Sequence, residues 1–469
     1  PIYRKLFKKK QNSSFIMSKP SLPQGMRDFS ATTVRKRNFI FSTIKNVFEC
    51  FGFEPLETPA MENLDTLMGK YGEEGDRLIF KVLNNGLNDP KNTDKAKEGF
   101  EKVLQGKSSS LLTERALKYD LTIPFARFVA INHGQLTFPY KRYQVQPVWR
   151  ADRPQKGRYR EFTQCDADVV GSTSLRNEVE LAGIYHSVFT KLGLKDYTLK
   201  INSRKILSAL AEICGGNQFL TDITIAIDKL DKIGIEKVKA ELVQRGLNDS
   251  QVSIIEKYLG ISGSNQEKLN KIVSLLENNE NVNSGANELS YILSECLSYN
   301  IEIDFTLARG LNYYTGTIFE VKAPDTVQMG SIGGGGRYDN LTELFGVPNI
   351  PGVGISFGVD RIYDVMEELN LFPENLQIGT KALFFNMGEN ESQFAYKLMQ
   401  PLREHGISCE LFHETSKMDK QFKYADKKNI SFVIIIGSKE IEEKNAVVKN
   451  LKTGAQENVG FGELVDYLK

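Results

Sequence analysis

The sequence predicts an α/β (α+β) chain in which one antiparallel sheet is assembled from two separated segments. Three observations carry that expectation. Two strand-like runs, residues 143–149 and 162–171, flank a cationic loop turned by Pro154 and Gly157. From Ser208 to Asn300 the composition shifts to Leu, Ile, Lys, Glu and Asn at helical spacing, which reads as an inserted helical domain. From about Leu376, short β-type runs (382–385, 408–412 and 432–436) alternate with amphipathic helices, the pattern of a small α/β domain. A chain of 469 residues is also too long for one core. The expected divisions are a disordered segment 1–20, a first core segment 21–207, the helical insertion 208–300, a second core segment 301–375 and the last domain 376–469.

The elements follow in order. Residues 1–19 are basic and carry no acid, as presequences do. Met17 stands just before the first organised segment, so translation is expected to start there, with a disordered stretch upstream. Val34, Phe39, Ile40, Ile44, Val47 and Phe48 recur at helical spacing, and Gly52 is a suitable stop. Residues 53–60 are held extended by Pro55 and Pro59. Residues 84–110, rich in Asn, Asp, Lys and Gly, are expected to be a mobile insertion. A short strand then leads into an apolar helix near Thr122, with Pro124 in a tolerated early position. Residues 171–192 form a further helix. Residues 301–321 read as strand, residues 330–339 as a glycine-rich connection, and residues 352–361 as the lead into another helix.

Lys and Arg total 60 against 59 Asp and Glu, a net charge of +1, so any nucleic-acid contact must use local patches. Five scattered cysteines without a C-x-x-C point to a reducing compartment, hence the cytoplasm. Four histidines in no ligand pattern predict no protein-held transition metal. No stretch is apolar for long enough to cross a bilayer.

The chemistry-bearing residues cluster in four segments. The loop 150–160 carries Arg150, Arg153, Lys156, Arg158 and Arg160, and Gln164 and Asp168 follow at strand spacing, on one face. An arbitrary basic run is more often a solvated hairpin; the Pro/Gly turn and the polar pair favour a site that closes over a polyphosphate. Gly333 to Gly336 allow close backbone approach, though glycine runs also serve tight turns, and neither a P-loop nor a Rossmann fingerprint is present. Arg361 follows Gly352, Gly354 and Gly358, and its guanidinium could stack on a purine. Arg309, in a largely apolar run, needs either a structural carboxylate or a ligand phosphate. Tyr313 and Tyr314 are expected on opposite sheet faces, one of them in the same pocket. With Asp120 these groups would make a pocket for a nucleoside triphosphate beside a small zwitterion.

Taken together and in this order, the segments resemble the histidyl-tRNA synthetases, class II aminoacyl-tRNA synthetases, over nearly the whole chain from Gln24. The most specific pieces are Arg-Pro-Gln-Lys-Gly-Arg-Tyr-Arg (153–160) and Leu-Ala-Arg-Gly-Leu-Asn-Tyr-Tyr (307–314). The resemblance implies a class II antiparallel-sheet catalytic domain with a helical insertion and a C-terminal α/β anticodon-binding domain. It implies a ligase that forms histidyl-adenylate from L-histidine and ATP, with Mg²⁺ accompanying the nucleotide, and passes histidine to tRNA(His). It puts Arg150 on the α-phosphate, Asp152 and Arg158 on ATP, Arg361 on adenine, and Arg150 with Arg309 on the charge of the transition state. Histidine would be held by Asp120, Thr122, Gln164 and Arg309, and its ring read by Asp168 and Tyr314, with Tyr313 beside them. Arg153 and Gln155 would meet the tRNA acceptor end, the insertion would clamp the acceptor arm, and Lys417, Lys420 and Lys423 would meet anticodon-arm phosphate. Pro59 matches the proline of a motif at the homodimer interface. Two departures stand out: aspartate at 120 and 168 where some members carry glutamate, and Asn312 where the signature often has aspartate. The non-catalytic regulatory relatives lack the last domain and lose catalytic arginines, whereas Arg150, Arg309 and Arg361 are all kept here.

Overall fold

The computed structural model describes residues 19–277, 279–308, 313–377 and 379–469. Along the chain run strands β1 (Glu54–Pro55), β2 (Met61–Asn63), β3 (Lys81–Val82), β4 (Arg115–Leu117), β5 (Tyr140–Trp149), β6 (Glu161–Val170) and β7 (Thr198–Ser203). After a helical stretch come β8 (Ile301–Ile303), β9 (Thr317–Lys322), β10 (Gly333–Arg337) and β11 (Gly352–Gly358). The last segment holds β12 (Ala382–Phe384), β13 (Cys409–Leu411), β14 (Phe432–Ile435), β15 (Asn445–Asn450) and β16 (Gln456–Gly460).

Eight strands form one sheet in the order β1-β5-β6-β11-β10-β9-β7-β8. Its six central strands are antiparallel, and only β1 and β8, at the edges, pair in parallel. One face is covered by helices Ala31–Cys50 and Arg176–Lys191, which bury Ile40, Ile44, Phe48, Leu181, Tyr185 and Phe189 against Cys165, Ala167 and Phe357 of the sheet. The helix from Ala31 starts where expected because Ser30 caps it, its hydroxyl accepting from Thr33 N–H. The opposite face is left for polar side chains. Between β7 and β8 lie helices from Arg204–Ile213 to Glu280–Glu295, two of them with capping boxes (Asn248 with Gln251, Ser264 with Glu267). The last segment is a five-stranded mixed sheet, β13-β12-β14-β15-β16, packed by Glu389–Glu404 and Met418–Lys427. No helix among the described residues is long and apolar enough to cross a membrane.

Three expectations need correction. Residues 84–110 contain a helix, Thr93–Leu104, packed where Gly99 meets Leu112: a Cβ at Gly99 would lie 2.7 Å from Leu112 Cγ. The glycine-rich connection is strand β10, paired between β9 and β11. The supposed strand 301–321 is two short strands, β8 and β9. Tyr313 and Tyr314 precede β9, outside any strand, so they do not alternate across a sheet; their rings meet edge to face at 5.2 Å. Residues 1–18, including the expected start at Met17, lie outside the described residues, as do Arg309 and Asn312.

Candidate active site

Strand β6 builds the floor of the site by its period of two. Cys165, Ala167 and Val169 point into the core, so Gln164, Asp166 and Asp168 face the other way, onto the open side of the sheet. There they line a cavity of about 560 Å³ with Arg150, Arg158, Arg361, Asp120, Thr122, Tyr313 and Tyr314. The structure thus brings Asp152 and all of the sequence-predicted ligands within the described residues to one hollow, Arg309 lying outside those residues. Pro59, Arg153 and Gln155 are exposed and lie off it.

Across the ladder, Asp168 pairs with Gly354 and Asp166 with Ser356 of β11. The glycine is required by the acid. A Cβ at Gly354 would sit 1.9 Å from Asp168 Oδ1, and one at Gly335 only 2.1 Å from Gly354 O. With no side chains on β10 and β11 here, the Asp168 carboxylate lies flat against the sheet. Gly354→Ala is expected to cost about 1–3 kcal/mol through overpacking and to displace Asp168, read as a lower urea midpoint with unchanged slope.

Asp168 is 2 % exposed, and Arg142, one strand over on β5, is fully buried. Arg142 Nη2 stands 2.9 Å from Asp168 Oδ2, an ion pair set off the hydrogen-bonding direction, while Tyr338 donates its hydroxyl to Asp168 Oδ1. Arg142 also lies 4.1 Å from the centre of the Phe125 ring. Burial pushes the Asp168 carboxyl up and Arg142 opposes the shift. Asp166, buried beside it, is raised well above the carboxylate range, chiefly by burial, with Asp168 adding to the shift and Arg142 opposing it. Asp120 accepts from Tyr71 (2.9 Å), from Ile123 N–H (3.2 Å) and from Tyr313 (3.4 Å), and burial raises it too. Gln164 donates to Ser356 Oγ at 3.0 Å, and its own Oε1 has no hydrogen-bond partner among the described residues.

The other end is cationic. Arg150 is steadied by a bond from Nε to Tyr119 O (3.0 Å) and by the rings of Tyr119 and Phe162. Arg361 sits in the first turn of helix Val359–Glu368 and donates to Gly157 O (2.7 Å) and Ser331 O (2.6 Å), tying the helix to the loop. The loop is a tight turn closed by Gln155 and Arg158, with Gly157 at φ 73°. Burial lowers the Arg361 pKa, and the neighbouring Arg158 and Arg150 lower it further. Arg158 has Asp152 at 3.8 Å. Three gathered guanidiniums with so little neutralising charge make a seat for a polyanion.

Sequence reasoning missed four contributors. Asp166 fits the alternation Gln164-x-Asp166-x-Asp168, which was the available signal. Tyr71 and Arg142 had none. Asp360 is gripped by both Arg27 and Arg37 (2.5 Å for the latter) and so sets the start of the helix that carries Arg361. Arg27 also covers the Tyr159 ring in the loop, with its guanidinium carbon 3.2 Å from the centroid.

A family model described as histidyl-tRNA synthetase matches residues 97–362, and one described as an anticodon binding domain matches residues 381–469. A protein named histidine–tRNA ligase from Christiangramia forsetii is 52% identical over 463 residues, covering 97% of this chain and 100% of its own length. One of the same name from Bacteroides fragilis is 51% identical over 460 residues, covering 97% and 100%. Among solved structures, histidyl-tRNA synthetase from Nostoc sp. PCC 7120 matches with a TM-score of 0.78 at 31% identity, covering 96% of this chain and 98% of that one.

Proposed function

The chain belongs to the histidyl-tRNA synthetase family, and on that premise we propose how its cavity divides the work. The protein is a class II aminoacyl-tRNA synthetase with ligase activity: it activates histidine with ATP and charges tRNA in translation. The assignment of roles is carried by one observation. A cationic end and a ladder of acids and amide share a single cavity, as a nucleotide and a zwitterion side by side require.

At the cationic end Arg150 grips the α-phosphate and neutralises the charge that grows there as the histidine carboxylate attacks and pyrophosphate leaves. Arg309 is assigned to the same task, and to histidine, on its sequence alone. Asp152 and Arg158 hold ATP, and Arg361 lies over adenine. ATP is taken with Mg²⁺, which supplies further neutralisation when bound; Asp152 and Glu320 on the cavity wall are oxygen donors of the kind that ion accepts. At the other end Asp120, Thr122 and Gln164 hold the α-ammonium, with Tyr313 steadying Asp120. Asp168 and Tyr314 form the ring end.

Around the site, Arg153 and Gln155, exposed at the loop tip, meet the acceptor end of tRNA(His), and the insertion 208–300 clamps its acceptor arm. The domain 376–469 takes the anticodon arm, with Lys417, Lys420 and Lys423, all exposed, against phosphate. The catalytic unit is then 21–207 with 301–375. Pro59 is exposed beside β1, at the sheet edge, which suits a homodimer contact. The five cysteines are free, which suits the cytoplasm. ATP–pyrophosphate exchange with each amino acid supplied singly tests the reading. Exchange driven by histidine alone is expected; exchange driven by another amino acid would overturn the roles at the ring end.

A further inference from the structure

We infer that Arg27 and Tyr159 are positioning residues for ATP: together they latch the loop 150–160 onto helix Val359–Glu368 before the nucleotide arrives. The inference rests on reading this cavity as the ATP site. The helix offers the loop one side, since Asp360, Arg361, Asp364 and Glu368 fall within about 100° of its circumference. Along the loop, Lys156, Gly157 and Tyr159 meet that side in turn. Lys156 pairs with Glu368 at 2.9 Å, Gly157 O accepts from Arg361 at 2.7 Å, and Tyr159 donates its hydroxyl to Asp364 Oδ2 at 3.1 Å. From the other direction comes a strap, residues 24–27. Gly25 O accepts from Arg160 N–H at 2.9 Å, and a Cβ at Gly25 would sit 2.8 Å from Pro154 Cγ, so strap and loop are closely packed. The Arg27 guanidinium lies over the Tyr159 ring while it donates to Asp360. Tyr159 is thus held by its ring and by its hydroxyl.

Magnitudes decide which of these contacts matter. Lys156 and Glu368 are exposed, and an ion pair of that kind is worth little. Asp360 is 4 % exposed and also accepts from Arg37 and from Thr163 N–H, so it is a fixed post. Arg27 joins that post to the Tyr159 ring through a partly desolvated cation–π contact. A latch is needed because Arg150, Arg158 and Arg361 repel one another across the cavity until an anion enters. A loop held closed in advance leaves ATP no cost of closure. Without the latch, apparent affinity falls by the fraction of protein still closed, whereas saturating nucleotide closes the loop itself. The effect therefore falls on the KM for ATP and spares kcat.

The test is histidine-driven ATP–pyrophosphate exchange in the parent, Arg27→Met, Arg27→Lys and Tyr159→Phe. Tryptic cleavage after Lys156, Arg158 and Arg160, mapped by mass spectrometry, reads release of the loop. Arg27→Met is expected to raise the KM for ATP about 10-fold, with kcat and the histidine KM unchanged. Tyr159→Phe keeps the ring and loses one hydroxyl bond, so it should raise the KM for ATP about 3-fold. Arg27→Lys should recover part of the loss, since an ammonium keeps the charge without the planar stack. Loop cleavage should be faster in Arg27→Met than in the parent, and saturating ATP should slow it in both. Should Arg27→Met fail to fold, Tyr159→Phe decides alone. An unchanged KM for ATP in the folded variants, equal rises in KM for ATP and histidine, or a loss confined to kcat would each overturn the inference. Parent protein that exchanges with histidine while the variants stay unchanged refutes the latch alone; parent protein that does not exchange refutes the reading beneath it.

Discussion

Arg150→Ala is expected to lower kcat for histidine-dependent ATP–pyrophosphate exchange by about 10²–10³-fold, equivalent to about 2.7–4 kcal/mol of transition-state stabilisation, with little change in the thermal midpoint. The side chain is half-buried, and the one acceptor it has among the described residues is the carbonyl of Tyr119. Its guanidinium is held by that bond and by two aromatic faces, at 4.3 Å and 5.2 Å from the ring centres, and no carboxylate lies within ion-pairing distance among the described residues. Such an arrangement keeps the charge aimed and unneutralised before the nucleotide arrives, which is what preorganisation requires. Arg150→Lys should recover only part of the loss, because an ammonium cannot reproduce a planar fork that stacks between rings. A kcat within a few-fold of the parent in a folded Ala variant would remove Arg150 from the chemistry.

The second large effect concerns stability. Arg142→Met is expected to cost about 3–5 kcal/mol, the penalty for leaving one partner of a buried ion pair behind, read as a lower urea midpoint. Asp168 would then face only the Tyr338 hydroxyl, in a site whose burial already raises its pKa. The double variant Arg142→Met with Asp168→Asn should regain most of the loss, since the remaining groups are neutral. Two of the Arg142 nitrogens, Nε and Nη1, have no hydrogen-bond partner among the described residues. The pair is therefore no optimum of packing, and its retention suits a role in holding the acid ladder rather than in maximising stability. Additive losses in the double-variant cycle would show that the two residues do not act as a pair.

What the sequence disclosed and what it hid follow a physical line. Elements with a strong period were legible: the alternation of β5 and β6, the helical stripe from Ala31, and the α/β rhythm after Leu376 all match the described structure. The helix Thr93–Leu104 was hidden by its polar surroundings, although Phe100, Val103 and Leu104 lie at helical spacing. Strand β10 was hidden because glycine has no strand preference of its own; two neighbouring strands impose the conformation. In the site, side chains on one strand could be grouped from sequence, and Asp166 could have been added by the same rule. Arg142 with Asp168, and Arg27 and Arg37 with Asp360, join distant segments through folding alone, and nothing local announces them.

That last contact sets an order of events during synthesis. Arg27 and Asp360 are 333 residues apart, so the grip on the Arg361 helix cannot form until most of the chain has left the ribosome. At elongation rates of about 5–20 residues per second, the wait is roughly 15–70 s. Once β6 is made, it has β5 on one side and no β11 on the other, since the helical stretch is translated between them. The nascent protein therefore presents an open strand edge, a feature that holding chaperones bind.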